Sequence, residues 1–207
     1  MEIKRVTDYN NPIFSQIVLN QRGAFLIDEE PYEIEIISSD SAFVKGKNRE
    51  FFKKLIEYFR YYSPHINNFF DENNKKIISF EKKRVLTLEV DKIQPSQFYI
   101  DEDKLNALKS FIKNSKDIVI QVVKSDEGYI CVDGHTRLFI AFLNNFKTVH
   151  AIETEFDDDT NYFVSQAKKR NIFTIKDLKL VSHSDYKKLL RFLHYTQLRF
   201  VSVEMTC

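Results

Sequence analysis

The sequence predicts an α+β fold, and two kinds of pattern support this prediction. Short runs alternate between apolar and polar residues, as in half-buried strands, and other segments repeat apolar residues at helical spacing. The pattern changes after about residue 83. We therefore expect an N-terminal α+β extension over 1–83, a core over 84–155 and C-terminal helices over 156–207 that pack on the core. At 207 residues, the chain is long enough to bury a sizeable core.

The N-terminal extension is predicted to combine hairpins with one helix. Apolar residues repeat at helical spacing after Asn48, and the helix should end before Ser63 because the residue preceding a proline avoids the helical region. The predicted elements are a hairpin at 25–28 and 32–38, a third strand at 42–45, this helix, and a second hairpin at 69–70 and 77–78.

The remainder of the chain is predicted to alternate strands and helices. Three successive carboxylates at 157–159 precede a helical pattern and are typical of a helix N-terminus. The predicted strands lie at 85–90, 118–123, 129–132 and 148–153, with a loop at 93–97, a hairpin turn at 125–128, and helices at 101–114, 135–145, 157–171 and 184–200.

The most informative segment is 132–138, which reads Val-Asp-Gly-His-Thr-Arg-Leu and holds one of only four glycines. A predicted strand here passes into a helix through Asp133 and Gly134. The first turn of a helix leaves backbone N–H groups unpaired and can hold an anion, while Arg137 can donate to phosphate or carboxylate oxygens. The alternative is that Asp133 and Gly134 form an ordinary turn and cap and that Arg137 is a solvated helix residue.

Composition excludes some classes of protein. Thirty-one basic and thirty acidic residues give a net charge of +1, so no global field attracts the chain to nucleic acid or to an anionic membrane. Cys131 and Cys207 have neither the number nor the spacing of a disulfide framework or a zinc site. No segment reaches the roughly 18 apolar residues of a membrane helix. We expect a soluble, cytoplasmic protein.

The order of elements over 85–153 resembles the ParB/sulfiredoxin superfamily. The resemblance covers about a third of the chain. It implies a mixed sheet with flanking helices in the core. It rests on the segment 93–97 (Ile-Gln-Pro-Ser-Gln), the strand at 118–123, the stretch 132–138, and the segment 147–151 (Lys-Thr-Val-His-Ala) after the helix.

Free-serine kinases of this superfamily are the most similar branch, with Asp-Gly-His-His-Arg where this chain has Asp-Gly-His-Thr-Arg at 133–137. The resemblance implies that Gly134, His135, Thr136 and Arg137 bind the phosphates of a nucleotide. It also implies ATP or ADP with Mg²⁺ as cofactor and a small hydroxyl compound as substrate. Asp133 would hold Mg²⁺ or orient the hydroxyl nucleophile, and His135 would neutralise phosphoryl charge in the transition state, so both are candidate catalytic residues.

One departure from the kinase pattern concerns the presumed base. Those kinases carry a glutamate shortly after the proline of the loop, and the matching position here is Gln97. An amide does not accept a proton at neutral pH. Transfer would then depend on Asp101, Glu102 or Asp133, and we place Gln97 and Glu102 on the candidate substrate side.

Other branches of the superfamily imply other functions. Sulfiredoxins have a cysteine directly after the motif glycine, where this chain has His135, so thiol chemistry is excluded. ParB proteins bind CTP and add a helix-turn-helix domain, for which the 54 residues after Glu153 leave little room. The alternatives to a nucleotide-binding phosphotransferase are a non-enzymatic DNA-binding or regulatory module and a degenerate member that binds a partner. His65, after a proline, is interpreted as a structural loop histidine.

Overall fold

The computed structural model describes residues 2–155 and 158–189, which form an α+β architecture with three sheets. The N-terminal part contains a six-stranded sheet whose strands follow the chain in order. Its elements are β1 (Ile3–Arg5), α1 (Gln16–Asn20), β2 (Ala24–Ile27), β3 (Glu30–Ile36), β4 (Ser41–Gly46), α2 (Phe52–Tyr62), β5 (Asn68–Asp71) and β6 (Lys76–Ser79).

Helix α2 covers one face of this sheet. Leu55, Ile56 and Phe59 are fully buried on the side of the helix that packs against Phe25 and Phe69. The helix is the crossover between β4 and β5, which pair in parallel, whereas the other neighbouring strands of the sheet are antiparallel. A parallel pair needs such a crossover because its two strands run in the same direction.

The second sheet is five-stranded and mixed, with the strand order β7-β12-β10-β11-β8. A short parallel pair, β9 with β13, lies apart from it. The elements of this part are β7 (Val85–Glu89), β8 (Ile93–Pro95), β9 (Tyr99–Asp101), α3 (Glu102–Lys109), β10 (Val119–Ser125), β11 (Gly128–Asp133), α4 (His135–Leu143), β12 (Thr148–Glu153), α5 (Asp158–Lys169) and β13 (Lys179–Val181).

Helix α4 lies in the middle of the second hydrophobic core. Leu138, Ile140 and Ala141 are fully buried and share one cluster with Ile120 and Val122 of β10. A helix that is apolar on most sides is stable only when it is covered on those sides. Packing of this kind fixes the position of the first turn of α4 relative to the end of β11.

Two sequence-based boundaries are wrong. The segment 93–97 is not entirely a loop, because Ile93–Pro95 pairs in parallel with β11. Pro95 is tolerated there because β8 is an edge strand, where a missing backbone donor breaks no ladder. The helix predicted over 101–114 begins after Asp101, whose carboxylate caps it by accepting from the backbone N–H of Asp103, and it ends at Lys109.

Most other predicted elements are confirmed within a few residues, and the strand at 148–153 matches β12. The short elements β1, α1, β9 and β13 were not predicted. Residues 183–189 are helical, and the rest of the helix predicted over 184–200 lies outside the described residues, as does Asp157 of the predicted N-terminal cap. Within the described ranges, none of the helices combines the length and apolarity needed to cross a membrane.

Candidate functional site

Gly134 connects β11 to α4 in a conformation that favours glycine. It is the N-cap of α4 and has φ 95° and ψ 19°, in the left-handed region. A Cβ atom at this position would lie 2.9 Å from Cγ2 of Ile120 and 3.1 Å from Nε of Arg137. Because Gly134 has no Cβ, the Arg137 side chain packs closely against the first turn of α4, which has no side-chain cap.

A cleft of about 470 Å³ lies next to this turn, between the N-terminal sheet and the second core. Its volume is within the range of small-molecule sites. The residues that line it come from both parts of the chain and include five cationic side chains and two carboxylates. The cationic residues are Arg5, Arg22, Lys104, Lys116 and Arg137, and the carboxylates are Asp117 and Asp133; Gly134, Thr136, Tyr62 and His65 also line the cleft.

Asp133 and Arg137 form an ion pair across the first turn of α4. Nη2 of Arg137 donates to Oδ2 of Asp133 across 2.6 Å, and the Asp133 side chain is 39% exposed. Burial acts to raise the pKa of Asp133, but Arg137, Lys104 and the backbone N–H of Gly134 lower it below its ordinary value. The carboxylate is therefore ionised at neutral pH, and part of the Arg137 fork is already in use.

Lys104 reaches the same corner from α3. Burial lowers the pKa of its ammonium group, and the positive charges of Arg137, Arg22 and Arg5 lower it further, while Asp133 opposes the shift. Four cations from three separate elements and one loop are therefore close enough to interact. A cluster of positive charges of this kind favours the binding of an anion.

His135 points away from the cleft into the core. The residue is 4% exposed, and its Nε2 accepts a hydrogen bond from the backbone N–H of Ser96 across 3.1 Å. Burial lowers the pKa of the imidazole to about 4, so the ring is neutral at pH 7. The structure thus leaves His135 only its backbone N–H to offer at the first turn, while Gly134, Thr136 and Arg137 border the cleft.

Gln97 and Glu102 are not among the residues that line the cleft. The side-chain amide of Gln97 donates to the backbone oxygen of Tyr99 and, across 3.1 Å, to the hydroxyl of Tyr186. Glu102 is exposed in the first turn of α3. The structure does not bring these two residues to the Asp133–Arg137 pair.

Several cleft residues had no recognisable signal in the sequence. Arg5, Arg22, Lys104 and Lys116 are cations among many, on elements far apart in the chain. His65, interpreted above as structural, lines the cleft, and its buried Nδ1 has no hydrogen-bond partner in the described part of the chain. Burial and the nearby Arg137 lower the pKa of His65 to about 3, so this ring is also neutral.

The donor set at the cleft is suited to an anion more than to a tightly held metal ion. Among the described residues, no group of three or more His, Cys, Asp or Glu side chains could hold a metal. Asp133 is a single carboxylate, and Mg²⁺ is commonly bound by one or two carboxylates together with substrate phosphates. Asp133 fits Mg²⁺ only when a phosphate ligand supplies further oxygens.

No protein-family model matches the chain, and no curated protein matches it. Among solved structures, the chain is similar to protein Atu1540 from Agrobacterium tumefaciens, with 16% sequence identity and a TM-score of 0.33. The alignment covers 46% of this chain and 61% of that chain, so this chain spans less than two thirds of the length of the structure that it matches. A likeness at this level carries no inference about fold or function.

Proposed function

We propose that the cleft binds a phosphate-bearing small molecule at the first turn of α4. One observation carries the proposal: five cationic side chains and two carboxylates converge with an open helix N-terminus on a single concave site. Helix N-termini favour anions through their unpaired N–H groups and partial positive charge, and arginine side chains bind phosphate with two parallel hydrogen bonds.

The charge balance in the cleft supports a ligand more than a structural role. In the described part of the chain, Arg137 is the only one of the five lining cations that forms an ion pair with a carboxylate. Asp117, the second lining carboxylate, accepts the backbone N–H groups of Lys113 and Asn114. Asp133 interacts favourably with Arg5 and Lys104 but offsets only part of the positive charge, and a bound anion reduces the remaining repulsion.

The finer proposal is a nucleotide as the ligand in a ParB/sulfiredoxin-like core. It is supported by the resemblance of the stretch 132–138 to the phosphate-binding turn of that superfamily and by the position of this turn between β11 and α4. ATP and ADP are the first ligands to test. Mg²⁺ would enter with the phosphates, and Asp133 is the residue that would hold it.

Phosphoryl transfer to a small hydroxyl compound is the reaction that we propose to test. Asp133 is the carboxylate next to Gly134, and its partly exposed side chain lines the cleft, so it can orient a hydroxyl group. Its lowered pKa makes it a weak base, and Gln97 lies elsewhere. Transfer therefore depends on positioning and charge neutralisation by Arg137 and Lys104, as is common for this reaction.

The binding proposal can be tested by thermal unfolding of the full chain with orthophosphate, ATP, ADP, CTP and GTP, each with and without Mg²⁺. A ligand that binds only the native state raises the unfolding midpoint. Arg137→Ala should weaken binding by roughly 1.5–3 kcal/mol, because a charge-assisted contact is lost. Arg84→Ala is the matched control, since Arg84 is exposed and does not line the cleft.

Equal dissociation constants for Arg137→Ala and Arg84→Ala would show that the ligand site lies elsewhere. Formation of phosphoserine or release of phosphate is then measured with each nucleotide that binds. A DNA-binding module would instead be retained on duplex DNA at low salt and released steeply as salt rises.

A further inference from the structure

We infer that residues 1–83 supply a second anion subsite to the same cleft, formed by Arg5 and Arg22. This subsite selects ligands that carry a second anionic group beyond the phosphate held at α4. This role rests on the phosphate site proposed above and determines which anionic ligands that site prefers. It assigns a role in ligand selection to the N-terminal part of the chain.

Arg5 is held rigidly at the edge of the N-terminal sheet. It belongs to β1, its Nε donates to the backbone oxygen of Arg22 across 2.8 Å, and its guanidinium carbon lies 4.4 Å from the ring centroid of Tyr62. Tyr62 also lines the cleft. These contacts fix the direction of the guanidinium group and leave its other N–H donors available.

Arg22 is fixed in a comparable way on the turn between α1 and β2. Its Nη1 donates to the backbone oxygen of Thr7 across 2.9 Å, and its guanidinium carbon lies 5.3 Å from the ring centroid of Tyr9. The residue has φ 61°, a left-handed conformation. A non-glycine residue seldom adopts this conformation unless the surrounding structure holds it there.

Neither arginine is neutralised by its contacts. Carbonyl oxygens and aromatic rings orient a guanidinium group without cancelling its charge, and within the described residues neither Arg5 nor Arg22 forms an ion pair. Burial and the adjacent charge of Arg22 together lower the pKa of Arg5 to about 10, although the charge of Asp133 acts in the opposite direction. Two half-buried like charges kept together in this way are stabilised by an anion between them.

Lys104 connects the two groups of cations electrostatically. Its charge interacts with Arg137 at α4 and with Arg5 and Arg22, and all four residues line the same cleft. A ligand with one phosphate can contact only the cations at the first turn of α4. A ligand with two linked anionic groups can contact these cations and also the Arg5–Arg22 subsite.

The test compares two inorganic probes on the full chain, orthophosphate and pyrophosphate, by isothermal titration without Mg²⁺ at constant ionic strength. Arg22→Asn removes the charge and keeps a residue that tolerates positive φ. Arg5→Gln keeps an amide donor for the backbone oxygen of Arg22 and removes the charge. Lys116→Gln is the matched control, because it removes one exposed cation that lines the same cleft from the core side.

Wild type should bind pyrophosphate at least about tenfold more tightly than orthophosphate. Arg22→Asn should lose about tenfold or more in pyrophosphate affinity and at most about threefold in orthophosphate affinity. Arg5→Gln should behave in the same way. Lys116→Gln should weaken binding of the two probes by similar factors, because a general loss of positive charge does not select between them.

The second subsite is overturned if Arg22→Asn loses affinity for both probes by equal factors. It is also overturned if the preference for pyrophosphate survives both arginine substitutions. In that case, orthophosphate binding that is lost in Arg137→Ala still supports the phosphate site at α4. Absence of binding by either probe overturns both. If Arg5→Gln does not fold, the result for Arg22→Asn decides alone.

Discussion

The backbone N–H of Ser96 donates to Nε2 of His135 across 3.1 Å, which joins the segment after β8 to the first turn of α4. The hydroxyl of Ser96 also donates to the backbone oxygen of Cys131 across 2.8 Å. Because Nε2 accepts, the neutral imidazole carries its proton on Nδ1. The histidine of the motif therefore fixes the position of the turn that carries Gly134.

We predict that His135 makes the protein less stable in acid. Burial lowers its pKa from 6.5 to about 4, so the unfolded chain binds more protons between these values. The contribution of the neutral His135 to the free energy of unfolding is complete above pH 6.5. It is lost as the pH falls toward 4, and the loss is about 3 kcal/mol at most. His135→Gln should flatten this dependence in urea unfolding measured at several pH values. Parallel curves of unfolding free energy against pH for wild type and His135→Gln would contradict the prediction. His65 is present in both proteins, so its own titration does not affect this comparison.

Gly134→Ala should destabilise the protein. The added Cβ would meet Ile120 and Arg137, and φ 95° is unfavourable for alanine. We expect a loss of about 2 kcal/mol in unfolding free energy relative to Gly128→Ala. Gly128 is a suitable control because it also has positive φ, 126°, but its added Cβ would have no heavy atom nearer than 3.9 Å. Equal losses would show that the close contact at Gly134 relaxes without cost.

Binding of an anion should be coupled to proton uptake by Lys104. Its pKa is lowered by burial and by three arginines, and a bound anion raises it again. Affinity for pyrophosphate should therefore fall as the pH rises toward 10. Titration in two buffers of different ionisation enthalpy measures the protons taken up, and Lys104→Gln should reduce that number. An unchanged number in this variant would assign the uptake to another group, such as Arg5.

Cys131 should be unreactive in the native protein. It is fully buried in β11, and burial raises the pKa of its thiol far above the ordinary value. In a Cys207→Ser background, a thiol reagent should label Cys131 only after unfolding in urea. Rapid labelling without urea would mean that the end of β11 opens in the folded state.

The sequence predicted the local part of the candidate site because that part is contiguous. A predicted strand at 129–132, a glycine and a predicted apolar helix at 135–145 imply the turn at Gly134, and the structure has this turn with Asp133 and Arg137 paired across it. The strand pairing of Ile93–Pro95 was missed because three residues with a proline show no alternation to detect.

The α+β class, the main elements and the Gly134 turn follow from residue spacing and from backbone conformation within short segments of the sequence. Which side chains share the cleft depends instead on tertiary packing. That packing buries His135 in the core and places Arg5, Arg22 and Lys104 in the same cleft as Arg137. The reason is physical: a hydrophobic pattern specifies which face of an element is buried, but the residues that meet there depend on how two separate sheets pack.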